Sequence, residues 1–107
     1  MTAYINWTNL DAGFRRPYQP GDRLVRGWQG EIAADPDALE PAADRVFDRH
    51  QRDDRPDGQM CPSMSVGDVI QFGEVAYSVD RMGFVPVRLQ PEDLIGDRTW
   101  REMSEFL

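Results

Sequence analysis

Two β-rich runs, Val66-Gly67-Asp68-Val69-Ile70-Gln71-Phe72 and Val75-Ala76-Tyr77-Ser78-Val79, are separated only by Gly73-Glu74. A two-residue connection forces the chain back on itself antiparallel, and glycine in its first position supplies the positive φ of a type II′ turn. The spacing predicts a tight hairpin over residues 66–79 at the centre of the fold. Phe84-Val85-Pro86-Val87-Arg88-Leu89 can extend that sheet, but Pro86 has no amide donor and confines its strand to an edge or a bulge. Near the N-terminus, in residues 3–8, Ile5 and Trp7 alternate with Tyr4 and Asn6, as in a half-buried strand. Leu24–Ile32 reads as another strand, and its two glycines, Gly27 and Gly30, predict a bulge or a close contact. Residues 9–23 between them are turn-rich, with Gly13, Pro17, Pro20 and Gly21.

Asp35-Pro36-Asp37 is a capping-type cluster that predicts a helix running to about Gln51, with Pro41 in the first turn or at a short break. At about 100° per residue, Leu39, Ala42, Ala43, Val46, Phe47 and His50 fall in one sector. Glu40, Asp44 and Asp48 form a second stripe and Arg45, Arg49 and Arg52 a third. Such sorting describes a helix docked by one face, with both charged stripes in solvent. In the tail, Thr99 stands three residues before Glu102, a capping-box spacing, and Trp100, Met103 and Phe106 or Leu107 share a face. A short C-terminal helix on the sheet is the expectation.

These elements add up to one α+β domain over residues 1–107: a small antiparallel sheet of about three to five strands, one main helix packed on it and the short C-terminal helix. A chain of 107 residues buries roughly two-thirds of its unfolded surface, enough for a core without staples.

The residues that carry chemistry are sparse. Cys61 is the single cysteine and reads as an inert structural thiol, with no cation beside it to favour a thiolate. His50 is the single histidine and lies in the apolar sector of the helix, which predicts a packed, hydrogen-bonded ring rather than a catalytic base. One Cys and one His cannot make a structural zinc site. Asp48, Asp53, Asp54, Asp57 and Gly58 lack the alternating ligands and closing glutamate of a calcium loop. Gly27-Trp28-Gln29-Gly30 lacks the spacing of a phosphate cradle. The reading assigns no catalytic, cofactor-binding or metal-ligating residue, and no enzyme activity.

The formal net charge is −7, divided as +2 over residues 1–30 and −9 over the rest. An acidic balance disfavours direct nucleic-acid binding, because each neutralised phosphate needs a cation. All twelve basic residues are arginine, a bias that follows from GC-rich coding and hints at a GC-rich bacterium or its mobile elements. The N-terminus lacks a basic segment followed by an apolar run, and no stretch approaches the ~18 apolar residues of a membrane span. The expected compartment is the cytoplasm, with no membrane partner. Two surfaces could serve a protein partner. Trp28, between glycines, is a candidate apolar anchor. The acids Asp44, Asp48, Asp53, Asp54 and Asp57, with Glu40, make a candidate carboxylate-rich face, since residues 31–57 hold nine acids against four arginines.

The run Val46-Phe47-Asp48-Arg49-His50-Gln51-Arg52-Asp53-Asp54-Arg55-Pro56-Asp57-Gly58, followed by Pro62-Ser63-Met64-Ser65-Val66-Gly67-Asp68-Val69-Ile70, resembles the core of YodL-like domains. In those small domains of bacterial mobile elements a helix precedes an acidic, proline-containing loop, a Ser-Met/Leu-Ser-Val-Gly-Asp-Val strand and a closing hairpin, here Tyr77-Ser78-Val79-Asp80-Arg81-Met82-Gly83-Phe84. The resemblance covers about residues 38–88, and the Ser-Met-Ser-Val-Gly-Asp-Val string is its most specific part. It implies a phage or plasmid accessory module in a bacterial host and gives no activity; the expectation for this chain is a non-enzymatic interaction module acting on a protein of the host or the mobile element. It carries over no catalytic residue, and His50 stands where relatives are expected to have Phe-Asn. The alternative is an acidic inhibitor that mimics nucleic acid and blocks a host DNA-binding or defence protein.

Overall fold

The computed structural model describes residues 1–51 and 64–96. Cys61, Asp53, Asp54, Asp57 and the expected C-terminal helix at 99–107 lie outside the described residues. Gly73 has φ +62° while Glu74 stays at negative φ, as a type II′ turn requires, and Phe72 pairs with Val75 across it. The hairpin joins β3 (Val69–Phe72) to β4 (Val75–Asp80), and a second tight turn at Arg81-Met82 leads into β5 (Gly83–Val87). Residues 66–68, expected within the first strand, form a turn ahead of it.

With β1 (Thr2–Asn9), β2 (Leu24–Ile32) and β6 (Leu94–Gly96), the sheet has six strands among the described residues, in the order β5-β4-β3-β1-β2-β6. This corrects the expected antiparallel sheet of three to five strands, because β6 pairs parallel to β2. Three residues are too few for periodicity to reveal. A 3-10 turn at Pro91–Asp93 brings β6 alongside Leu24 and Val25.

β1 lies between β3 and β2, and both of its faces are covered, not one as the alternation alone suggested. Tyr4 and Asn6 are buried beneath the helix; Trp7 is buried on the opposite face with Tyr18, Leu24, Val69 and Ala76. The register shifts between Asn6, opposite Trp28, and Trp7, opposite Arg26, so Gly27 is the extra residue of a bulge. Gly30 is the close contact: a Cβ there would lie 3.0 Å from Tyr4 Oη and 3.1 Å from Trp28 Nε1.

The tight turns place Ala76 with Val87, Ser78 with Val85 and Asp80 with Gly83. In an antiparallel ladder closed this way those are the hydrogen-bonded pairs, and Pro86, opposite Tyr77, falls between them. Its missing N–H therefore faces the outer edge of β5, where no described strand pairs. It costs no ladder bond and blunts an edge open to unwanted pairing.

α1 (Leu39–Gln51) starts after an Asx turn in which Asp37 N donates to Asp35 Oδ1 at 2.9 Å, and Pro41 sits in its first turn. Ala42, Ala43, Val46 and His50 are buried, and Leu39 and Phe47 pack against the same core. Phe47 meets Phe84 of β5 edge to face at 6.1 Å, tying the helix to the sheet edge. The arginine stripe is not simply solvated. Arg45 donates to Ala33 O, and Arg49 Nη1 donates to Glu31 O at 3.1 Å. Their long, forked side chains reach back to the backbone leading into the helix.

Candidate functional site: a braced loop at one end of the sheet

The 14-residue loop joining β1 to β2, residues 10–23, is held by side chains that sequence reasoning did not single out. Asn9 ends β1 and organises its base. Its Oδ1 accepts the backbone N–H groups of Asp11 and Ala12 at 2.9 and 3.0 Å, and its Nδ2 donates to Asp22 Oδ2 and Gly67 O at 3.1 and 3.0 Å. Asp22 receives the Arg16 guanidinium through two bonds of 2.6 and 2.9 Å, as well as Gln19 N at 3.0 Å. The Arg16 bond, with Gln19 and Asn9 adding to it, holds the Asp22 carboxyl down at about 2 despite its burial. Asp11 is paired likewise with Arg23, through the guanidinium and the backbone N–H.

Behind the loop, Asp68 accepts Asn9 N at 3.0 Å and Ser65 N at 2.9 Å while being almost fully buried. Burial outweighs the two donors and pushes its carboxyl up to about 7. Ser78 Oγ accepts Tyr18 N at 2.8 Å and donates to Asp68 O at 3.2 Å. Tyr18 Oη donates to Asp93 Oδ2 at 2.6 Å, and the same oxygen accepts Gly21 N at 2.8 Å. Burial first, and the Asp93 bond second, push the Tyr18 hydroxyl up to about 12. Gly67 lets the loop approach: its φ is +99°, and a Cβ there would lie 2.6 Å from Ala12 Cβ and 3.0 Å from Arg16 O. These buried polar groups act as braces.

The brace supports an exposed summit. Arg15 N donates to Ala12 O at 3.2 Å, closing a turn whose two central residues, Gly13 and Phe14, have φ +63° and +62°. Successive left-handed residues are the pattern of a type I′ turn, in which the second position strongly favours glycine. Phe14 occupies it instead, as the single non-glycine residue at positive φ among the described residues, and is 71% exposed. Arg15 beside it is exposed as well.

The sequence-predicted site residues are dispersed. Trp28 is half-buried and packs against the core beneath the helix, so its indole is partly committed to the fold. Asp44 and Asp48 are exposed one turn apart on the outer face of α1. His50 is fully buried, with Nε2 3.0 Å from Tyr4 Oη and the two rings edge to face, a packed and hydrogen-bonded histidine as its place in the sector suggested. Among the described residues no group of three or more His, Cys, Asp and Glu side chains could hold a metal ion, and no helix is long and apolar enough to cross a membrane. Phe14 and its braces left one local signal: Asn9-Leu10-Asp11-Ala12-Gly13, an Asx-turn opening before a glycine. A scan of known family models, a search of curated proteins and a search of solved structures each returned no match.

Proposed function

We propose that the domain is a non-enzymatic protein-interaction module of a bacterial phage or plasmid, acting in the host cytoplasm on a host or mobile-element protein, with Phe14 as its anchor. The display of Phe14 carries this reading. Left-handed backbone costs a non-glycine residue roughly 1–2 kcal/mol, and an aromatic ring in water gains no burial in return. A loop braced by Asn9, Asp22 and Asp68 yet topped by a strained, exposed phenylalanine is suited to filling a pocket on another protein, with little left to order on binding. The YodL-like resemblance supports the mobile-element setting. Trp28 and the acids Asp44 and Asp48 then border other surfaces rather than forming the anchor. Affinity capture from lysate of a bacterial host tests the reading. Wild type retains a partner that Phe14→Ser loses by about tenfold or more, and equal retention by both rejects the anchor.

A second reading, the acidic nucleic-acid mimic, has one observation in its favour. Arg45 and Arg49 turn back to the Ala33 and Glu31 carbonyls, while Glu40, Asp44 and Asp48 point outward. A mimic binds its target with steep salt dependence and loses it when Asp44 and Asp48 become Asn; a Phe14 anchor is nearly indifferent to both changes.

A further inference from the structure

Leu10 N donates to Arg23 O at 2.9 Å, so these two residues are a hydrogen-bonded pair at the base of the β1–β2 ladder. Alternation from there turns the backbone groups of Val25, Gly30 and Ile32 toward Thr8, Tyr4 and Thr2, with Gly27 as the extra residue between. Asn9 N, which donates to Asp68 on the β3 side, obeys the same alternation. The backbone groups of Arg26, Gln29 and Glu31 therefore point away from β1. Among the described residues, β6 pairs with that side of β2 only at Leu24 and Val25. What meets the rest of it is the helix. Arg49 Nη1 donates to Glu31 O at 3.1 Å, and Arg45 donates to Ala33 O two residues on. The arginine stripe of α1 thus lies on successive carbonyls of an otherwise open strand edge, which is a template for pairing with another chain.

We propose that Arg45 and Arg49 guard this edge: they occupy the outward carbonyls of β2 and keep the strand from pairing with β2 of a second copy, and withdrawing them opens it to an antiparallel dimer centred on Gly30. The strand is its own complement. About a two-fold axis at Gly30, Gln29 of one copy stands opposite Glu31 of the other. Both residues face outward, so each such pair can exchange both of its N–H···O bonds. No like charges are set opposite each other, since Glu31 meets an uncharged glutamine. On the helix face the half-buried Trp28 comes opposite the half-buried Ile32, an aromatic and β-branched cross-strand pair. Glycine meets glycine at the centre, with no side chain to hold the strands apart. The far edge of the sheet is blunted by other means, because Pro86 of β5 has no N–H to offer there. The guard is independent of Phe14 and of any partner that Phe14 binds.

Sedimentation equilibrium on the full chain, from micromolar to millimolar, is the test, with circular dichroism to verify folding. Wild type holds the mass of one chain throughout. The double variant Arg45→Ala with Arg49→Ala rises to the mass of two chains and stops there, because the two-fold contact uses up the edge of both copies. Adding Glu31→Pro returns the double variant to one chain: the substitution removes an outward N–H, costs the β1–β2 ladder nothing, and repeats the device already present at Pro86. In the dimer the Gln29 and Glu31 amides are protected from hydrogen exchange, and in the monomer they are not. Should the double variant unfold, Arg45→Ala and Arg49→Ala taken singly decide the matter, each dimerising at higher concentration than the pair would. A wild type that dimerises through β2, arginine variants that stay monomeric to millimolar concentration, association that continues past two chains, or a dimer that survives Glu31→Pro overturns the proposal.

Discussion

Asn9 and Asp68 lie 59 residues apart in the chain and are joined by a hydrogen bond from the Asn9 backbone N–H to Asp68 Oδ1 at 3.0 Å. The bond fastens the end of β1 to the turn that opens β3. The same asparagine ties Asp22 and Gly67 together with its side chain, so one residue sets where the 10–23 loop leaves the sheet.

Gly67→Ala tests how tightly that loop is seated. The new methyl would fall 2.6 Å from Ala12 Cβ in backbone already at φ +99°, so overpacking and strain add. We expect a loss of about 2 kcal/mol or more in urea denaturation. Gly21→Ala shares the conformation, at φ +101°, but meets nothing within 4 Å, and should cost about 1 kcal/mol from strain alone. Equal losses at both positions would mean that the loop does not press on Gly67.

The buried carboxylates predict opposing pH dependences. Asp22 is held below its ordinary value of 3.8, at about 2, so its stabilisation is present above that ordinary value and is lost as pH falls toward 2. Asp68 is raised from 3.8 to about 7, so the folded state favours its protonated form. Its contribution is most favourable below pH 3.8 and declines as pH rises toward 7. The difference in melting temperature between wild type and Asp68→Asn, followed from pH 4 to 7, isolates this group. Wild type should lose ground steadily across the window, and a constant difference would show that Asp68 does not titrate there.

The helix separates core from surface within one turn. Val46 is fully buried and Phe47 packs against Phe84, so alanine at either position should cost about 1–5 kcal/mol. Asp44 is exposed, and Asp44→Asn should stay within about 0.5 kcal/mol. Arg49→Ala removes a bond to the Glu31 carbonyl and should cost about 0.5–1 kcal/mol. Comparable midpoints for all four variants in chemical denaturation would contradict the burial pattern.

What was legible in the sequence was local. Gly73 announces its turn through a backbone conformation, Pro86 its edge through a missing donor, and the apolar sector of α1 its docked face through spacing alone. The Gly27 bulge and the Gly30 contact belong to the same group. The braces were not legible, because Asn9 meets Asp68 and Tyr18 meets Asp93 across 59 and 75 residues, and no local pattern announces such a pairing. Trp28 reads as a candidate surface anchor from its glycine neighbours in the chain; it is half-buried, and its neighbours in space belong to the core under the helix. β6 is too short to show a period, and its place is set by the turn at Pro91–Asp93. Phe14 sits in a turn-rich run where no periodicity gives an apolar residue a direction.

The central claim is that Phe14 serves a contact outside its own fold, and the urea midpoint of Phe14→Gly tests it most directly. Glycine adopts φ +62° without strain, which relieves roughly 1–2 kcal/mol, while its greater freedom in the unfolded chain returns about 0.5–1 kcal/mol of that. The account predicts a variant as stable as wild type or more stable by up to about 1.5 kcal/mol. A midpoint lowered by the equivalent of about 2 kcal/mol would place Phe14 among the structural residues and contradict the claim.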